Sequence, residues 1–177
     1  MGPLHDLGRI NLQWERFAAA TVAYTLLEPR LHRASDNHVV SSRVSVARLH
    51  AAGRRRIGLA MAARLDHRVA DFWTAGYLLE TFEEGLADPE MLHRPAAEFI
   101  RWVRRAKPDA IVCTDKRIPG WLKTAGLKVP EDIAYACLDL SDDSGDLAGI
   151  YQDASSMGAA AIDLVAGQLL RHERGLP

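Results

Sequence analysis

No part of this 177-residue chain approaches the run of about 18 apolar residues that a membrane-spanning helix requires. Its opening stretch, MGPLHDLGRINLQWERF, has no basic segment followed by an apolar core and small cleavage residues, so it does not read as a secretory signal. Cytoplasm is the expected location, with no membrane partner. Cysteine is scarce. Cys113 and Cys137 are the only two, and each sits inside an apolar run. They read as buried free thiols of a reducing compartment, not as a disulfide framework. An excess of charge is missing as well: the net charge is −1, which offers nothing to nucleic acid or an anionic surface. The local clusters Arg54-Arg55-Arg56 and Arg104-Arg105-Lys107 read as solvated helix ends and loops.

Motifs that announce chemistry are missing too. No Gly-x-Gly-x-x-Gly follows a strand, and there is no phosphate loop and no Gly-x-Ser-x-Gly elbow. The seven histidines form no His-x-x-x-His pair. Asp139 is followed by Leu140-Ser141-Asp142, one residue off the Asp-x-Asp of a haloacid-dehalogenase-type phosphatase. The paired acids and late lysine of a receiver domain are absent. A metal would need Asp142, Asp143 or His67 to be recruited by assumption. No catalytic residue, metal or cofactor is therefore expected. An Asp-dependent hydrolase or phosphatase using Asp115 and Asp139 is the alternative of last resort.

What is present is an alternation of short apolar runs with longer amphipathic stretches. FAAATVAYTLL (17–27) reads as a buried strand broken by Glu28-Pro29. After the capping residues Ser35, Asp36 and Asn37, Val40, Val44, Ala47 and Leu49 mark one helical face, and Gly53 ends that helix. Residues 55–61 read as a strand. The following helix spaces Phe72, Trp73, Gly76, Leu79 and Phe82, and the next one Phe99, Ile100 and Val103. A strand over 109–114, a short helix with Pro119 in its first turn, and a strand in VPEDIAYACLDL follow. A long final helix offers Met157, Ala161, Leu164, Val165 and Leu169 as its buried side. Strands of five to seven residues alternating with helices imply an α/β fold: a parallel sheet with helices on both faces. Ligands of such sheets bind beyond the carboxyl ends of the strands, where Asp115 and Asp139 fall.

Four stretches, in order, carry a family resemblance: DNHVVSSRVSVARLHAAGRRRIGLAM, KPDAIVCTD, GLKVPEDIAYACLDL and LAGIYQDASSMGAAAIDLV. Over roughly 35–167 the chain resembles the effector-binding domain of lactose-repressor (LacI/GalR) transcriptional regulators. The resemblance implies a type I periplasmic-binding-protein-like fold, with two α/β lobes holding a small molecule, often a sugar. Residues 1–52 would be a remnant of the amino-terminal lobe, 53–148 the carboxyl-terminal lobe, complete, and 149–177 the crossover and returning helix. An edge strand between Gly85 and Pro95 would be missing.

By the same resemblance, Asp36, Asp139 and Gln152 match ligand-facing positions of the family. Thr114 replaces an asparagine before Asp115, and Trp73 stands at the place of an effector-binding arginine, for which Arg68 or Arg64 could substitute. The implied function is sensing a carbohydrate effector in a homodimeric regulator. DNA would be bound only through a helix-turn-helix absent from these residues. A transport-type sugar-binding protein is the alternative on the same fold.

Overall fold

The computed structural model describes residues 8–86, 90–92, 95–141 and 145–177. They form two compact units. One takes in the residues up to Asp36, Arg68–Ala70 and Asp153–Pro177; the other comprises Asn37–His67 and Asp71–Gln152.

The larger unit is built on a sheet of five parallel strands: β5 (Ile57–Ala60), β6 (Glu90–Leu92), β7 (Ala110–Cys113), β8 (Ala134–Leu140) and β9 (Gly149–Tyr151), in the order β6-β5-β7-β8-β9. The expected α/β class holds. The edge strand anticipated as missing is present: β6 pairs in register with Gly58–Ala60, and Leu92 O accepts a hydrogen bond from Met61 N–H. Three residues suffice because one flank of an edge strand is enough to fix it.

Helices α4 (Pro95–Ala106) and α5 (Ile118–Thr124) cover one face. Phe99, Trp102, Val103, Ile118 and Leu122 pack there against Ile111, Cys113, Tyr135 and Cys137. On the other face α1 (His38–Ala51) lies over β7 and β8 and against α3 (Phe72–Glu83), which follows a short α2 (Ala63–His67). The Tyr77 hydroxyl of α3 donates to Ile57 O at 2.8 Å.

The helix faces differ from those the spacing predicts. On α1 the buried residues are His38, Ser42, Ser45, Val46 and Leu49, while Val40 and Val44 are exposed. On α3, Trp73, Gly76, Tyr77, Glu80 and Thr81 are buried, whereas Leu79 and Phe82 face outward. The reason is close helix packing: a Cβ on Gly76 would come within 2.3 Å of Val39 O and 2.9 Å of Ser42 Cβ. At that separation small residues make the contact, and the larger apolar ones are turned away. Arg43 of α1 bridges to the buried Glu80 at 2.6 Å and also to Glu83.

The smaller unit pairs β1 (Gly8–Arg9) with β3 (Leu26–Glu28), and β2 (Ala20–Val22) with β4 (His32–Ala34), both in parallel. The apolar run 17–27 is thus two short strands, separated at Ala23, whose φ is 62°. A small core of Trp14, Leu26 and Leu31 underlies them. Helix α6 (Ala154–Leu170), capped by Asp153, packs on β2 and β4. Its Gln168 amide accepts from Ala19 N–H and donates to Ala19 O, each at 3.1 Å, closing the backbone just before β2 as a strand would. Of the five positions expected to face inward, only Ala161 is fully buried; Leu169 is exposed and the others are half-buried.

Candidate effector site at the carboxyl ends of the strands

The carboxyl ends of β5, β7 and β8 bring Trp73, Thr114, Asp115 and Asp139 to one edge of the larger unit's sheet. Trp73 opens α3. Its backbone N–H and that of Thr74 donate to the two carboxylate oxygens of Asp66, at 3.2 and 3.3 Å. The buried Asp66 carboxylate thereby serves the N–H groups of the helix start that have no partner within the helix, and meets the positive end of its dipole. His38, the first residue of α1, lies against the Trp73 indole with ring centroids 4.7 Å apart. Burial lowers the His38 pKa, and the fields of Asp139 and Asp66 oppose that shift.

Two hydrogen-bonding atoms at this edge are buried without a partner among the described residues: Trp73 Nε1 and Thr114 Oγ1. A buried polar atom of this kind costs stability unless something pairs with it, and a ligand or ordered water is the usual answer.

Asp115 is committed locally. Its carboxylate accepts from Arg117 Nε at 2.9 Å, from Arg117 Nη2 at 2.7 Å and from Arg117 N–H at 3.0 Å. The Arg117 guanidinium holds its pKa below the ordinary value, against the effect of burial. Lys116 Nζ donates to Ser141 Oγ at 2.7 Å, tying the loop after β7 to the end of β8.

Asp139 owes its position to a bulge. Cys137 pairs with Gly149 and Leu140 with Tyr151, so β8 carries one residue more than β9 over this interval. A bulge re-aims a side chain, and Asp139 is the one exposed residue of an otherwise buried strand. Glycine is required at 149, opposite Cys137, because a Cβ there would lie 2.0 Å from Cys137 O. Gln152 secures the same end of the strand. Its N–H donates to Leu140 O and its Nε2 to Leu138 O, both at 3.0 Å.

The other expected residues belong to the smaller unit. Asp36 follows β4; burial raises its pKa, its own backbone opposes this, and the neighbouring Asp153 adds to the rise. Arg68 is half-buried in the turn after α2. Asp142 and Asp143 lie outside the described residues. Among the described residues, no three His, Cys, Asp or Glu side chains gather to hold a metal ion, and no helix is long and apolar enough to cross a membrane.

Sequence reasoning missed His38, Asp66 and Arg117. His38 directly follows the Asp36-Asn37 pair and Arg117 stands two residues after Asp115, so both could have been noticed by proximity. Asp66 gives no such signal, because its partner helix starts beyond an intervening turn.

The sequence profile of the family described as periplasmic binding protein-like domain matches residues 46–177. The chain belongs to this family. Solved structures with the periplasmic binding protein-like fold agree. A LacI transcriptional regulator from a Rhodococcus species is 23% identical, with a TM-score of 0.71 over 90% of this chain and 64% of that one. A LacI family regulator from Enterococcus faecium with bound ribose is 11% identical, with the same score over 89% and 64%. A regulator described as CelR in complex with cellobiose is 18% identical, with a TM-score of 0.70 over 89% and 54%. The chain thus spans less than two thirds of each. A search of curated protein sequences returns no significant match. The LacI/GalR resemblance read over 35–167 agrees with these neighbours in fold.

Proposed function

We propose that this chain is the effector-sensing part of a LacI-type transcriptional regulator and that its effector is an uncharged sugar. The observation that carries the reading is the pair of unpartnered buried atoms, Trp73 Nε1 and Thr114 Oγ1, on the same strand edge as the exposed Asp139. An indole N–H only donates, a carboxylate only accepts and a hydroxyl does both, which is the complement of a ring of sugar hydroxyls. The Arg117 guanidinium is already paired with the Asp115 carboxylate and is therefore not offered to a phosphate. Trp73 contributes its N–H rather than its face, since His38 covers the ring. Gln152, in the same unit as Trp73, Thr114 and Asp139, adds to the proposed ligand contacts.

The chemistry is binding, not turnover. Asp115 is held below its ordinary pKa and engaged by Arg117, so it is a poor base and a hindered nucleophile. A ligand that binds two conformations unequally shifts their populations, and in a homodimeric regulator that shift reaches a DNA-binding segment lying outside residues 1–177.

The test is a thermal-shift and calorimetric screen of the full-length regulator against neutral sugars, ribose and cellobiose included, and their phosphates. A neutral sugar should raise the melting temperature. Asp139→Asn should weaken its binding tenfold or more, given about 1.5–3 kcal/mol for a hydrogen bond to a charged group. Failure of every sugar to bind, or undiminished affinity in both Asp139→Asn and Thr114→Val, overturns the reading.

A further inference from the structure

Cys113 and Cys137 face each other as partners in the β7–β8 ladder, and both are fully buried, with 0% exposure. They lie on the same side of the sheet, in the core under α4 and α5 that also holds Tyr135. Tyr135 is buried in the same cluster, but its hydroxyl has no hydrogen-bond partner among the described residues. Cys113 Sγ also reaches the Asp115 carbonyl at 3.7 Å. Neighbouring strands are about 4.8 Å apart, inside the Cα separation of about 4.4–6.8 Å that a disulfide bridges. Packing alone would be satisfied by two small apolar residues anywhere in this core. It does not require the chain's only two cysteines to occupy one rung of the ladder, sulfur to sulfur.

We propose that Cys113 and Cys137 form a redox-active dithiol that a small peroxide oxidises to an intramolecular disulfide, stapling β7 to β8. The Cys137 thiolate attacks one peroxide oxygen and the O–O bond breaks. The departing hydroxide takes up the thiol proton as water, leaving a sulfenic acid on Cys137. Cys113 then attacks the sulfenic sulfur. The S–S bond forms, the S–O bond breaks, and the second water leaves with the Cys113 proton. Two thiols supply the two electrons that reduce one peroxide to two waters. The order follows from the environment. The neighbouring Cys113 thiol and the backbone at Asp139 favour the thiolate at Cys137, while burial pushes the Cys113 thiol up.

The staple would sit immediately before Thr114 and two residues before Asp139, so it would re-aim both. That consequence rests on the effector reading above; the thiol chemistry does not.

The test exposes the native full-length protein to hydrogen peroxide, then quenches, denatures and alkylates it for intact-mass and peptide analysis. Both thiols should disappear together, with loss of two hydrogens from the chain and a linked peptide pair containing positions 113 and 137, reversed by dithiothreitol. In Cys113→Ala, or the volume-matched Cys113→Val if alanine impairs folding, Cys137 should accumulate as a sulfenic acid that dimedone traps. Loss of the thiols one at a time to sulfinic or sulfonic acid, or linkage only between chains, overturns the proposal. So does a native dithiol that resists peroxide able to oxidise the urea-unfolded chain. A disulfide that forms in a protein binding no sugar supports the dithiol and removes only the effector reading.

Discussion

Helix α6 of the smaller unit and helices α4 and α5 of the larger one all carry large apolar side chains, yet they bury them to different degrees. Phe99, Trp102 and Val103 of α4 and Ile118 and Leu122 of α5 are sealed against a five-stranded sheet. In α6, Ile162, Leu169 and Leu170 are 70%, 52% and 83% exposed. The difference lies in what each helix is given to cover. A sheet of five parallel strands offers a broad apolar face, while β2 and β4 together offer three residue pairs. Apolar surface becomes stability only when it leaves water, so equal sequence character yields unequal contributions from the two units.

Four measurements sharpen or break this comparison. Trp102→Ala should produce the largest loss, about 3–5 kcal/mol by denaturant unfolding, because it empties a site at the centre of the larger core. A loss below about 1 kcal/mol would show that this core is as loosely covered as α6. Gly76→Ala should cost about 1–3 kcal/mol, since the added methyl overlaps Val39 O and pushes α1 from α3.

The third measurement is one of pH. The His38 pKa is depressed by burial from an unfolded value of 6.5, so the unfolded chain takes up the proton first. The stability contribution is intact above 6.5, falls as pH drops below that value, and levels off beneath the folded pKa. His38→Phe should flatten this part of a melting-temperature profile; an unchanged slope would remove His38 as its source. The smallest effects belong to α6. Ile162→Ser and Leu170→Ser should change unfolding free energy by no more than about 0.5 kcal/mol, and sedimentation should show less self-association as apolar surface is removed.

The layered α/β fold was legible because period and punctuation agreed: Gly53, Pro108, Pro119 and Gly126 sit near the element ends, and the runs at 110–113 and 134–140 are strands. Legibility failed where contact geometry overrides period. Val40 and Val44, at a helical repeat, point outward, because Gly76 of α3 meets α1 at Val39 and Ser42. The β6 strand was not legible either, since three residues carry too little pattern to stand out.

The site was legible at the level of strand ends and not at the level of partners. Asp115 and Asp139 terminate two strands alike in sequence, but Arg117 occupies one and a bulge presents the other.

By itself the sequence determined the parallel α/β layering, the absence of familiar catalytic motifs and the position of two aspartates at strand ends. Those features follow from local rules: side-chain period, capping and the forbidden conformations of proline. Only the tertiary structure decided that Asp66 caps α3, that His38 covers Trp73, that Gln152 ties down β8 and that Cys113 meets Cys137. Each joins residues from different elements, and such pairings depend on sheet order, register and helix separation, which no local pattern along the chain encodes.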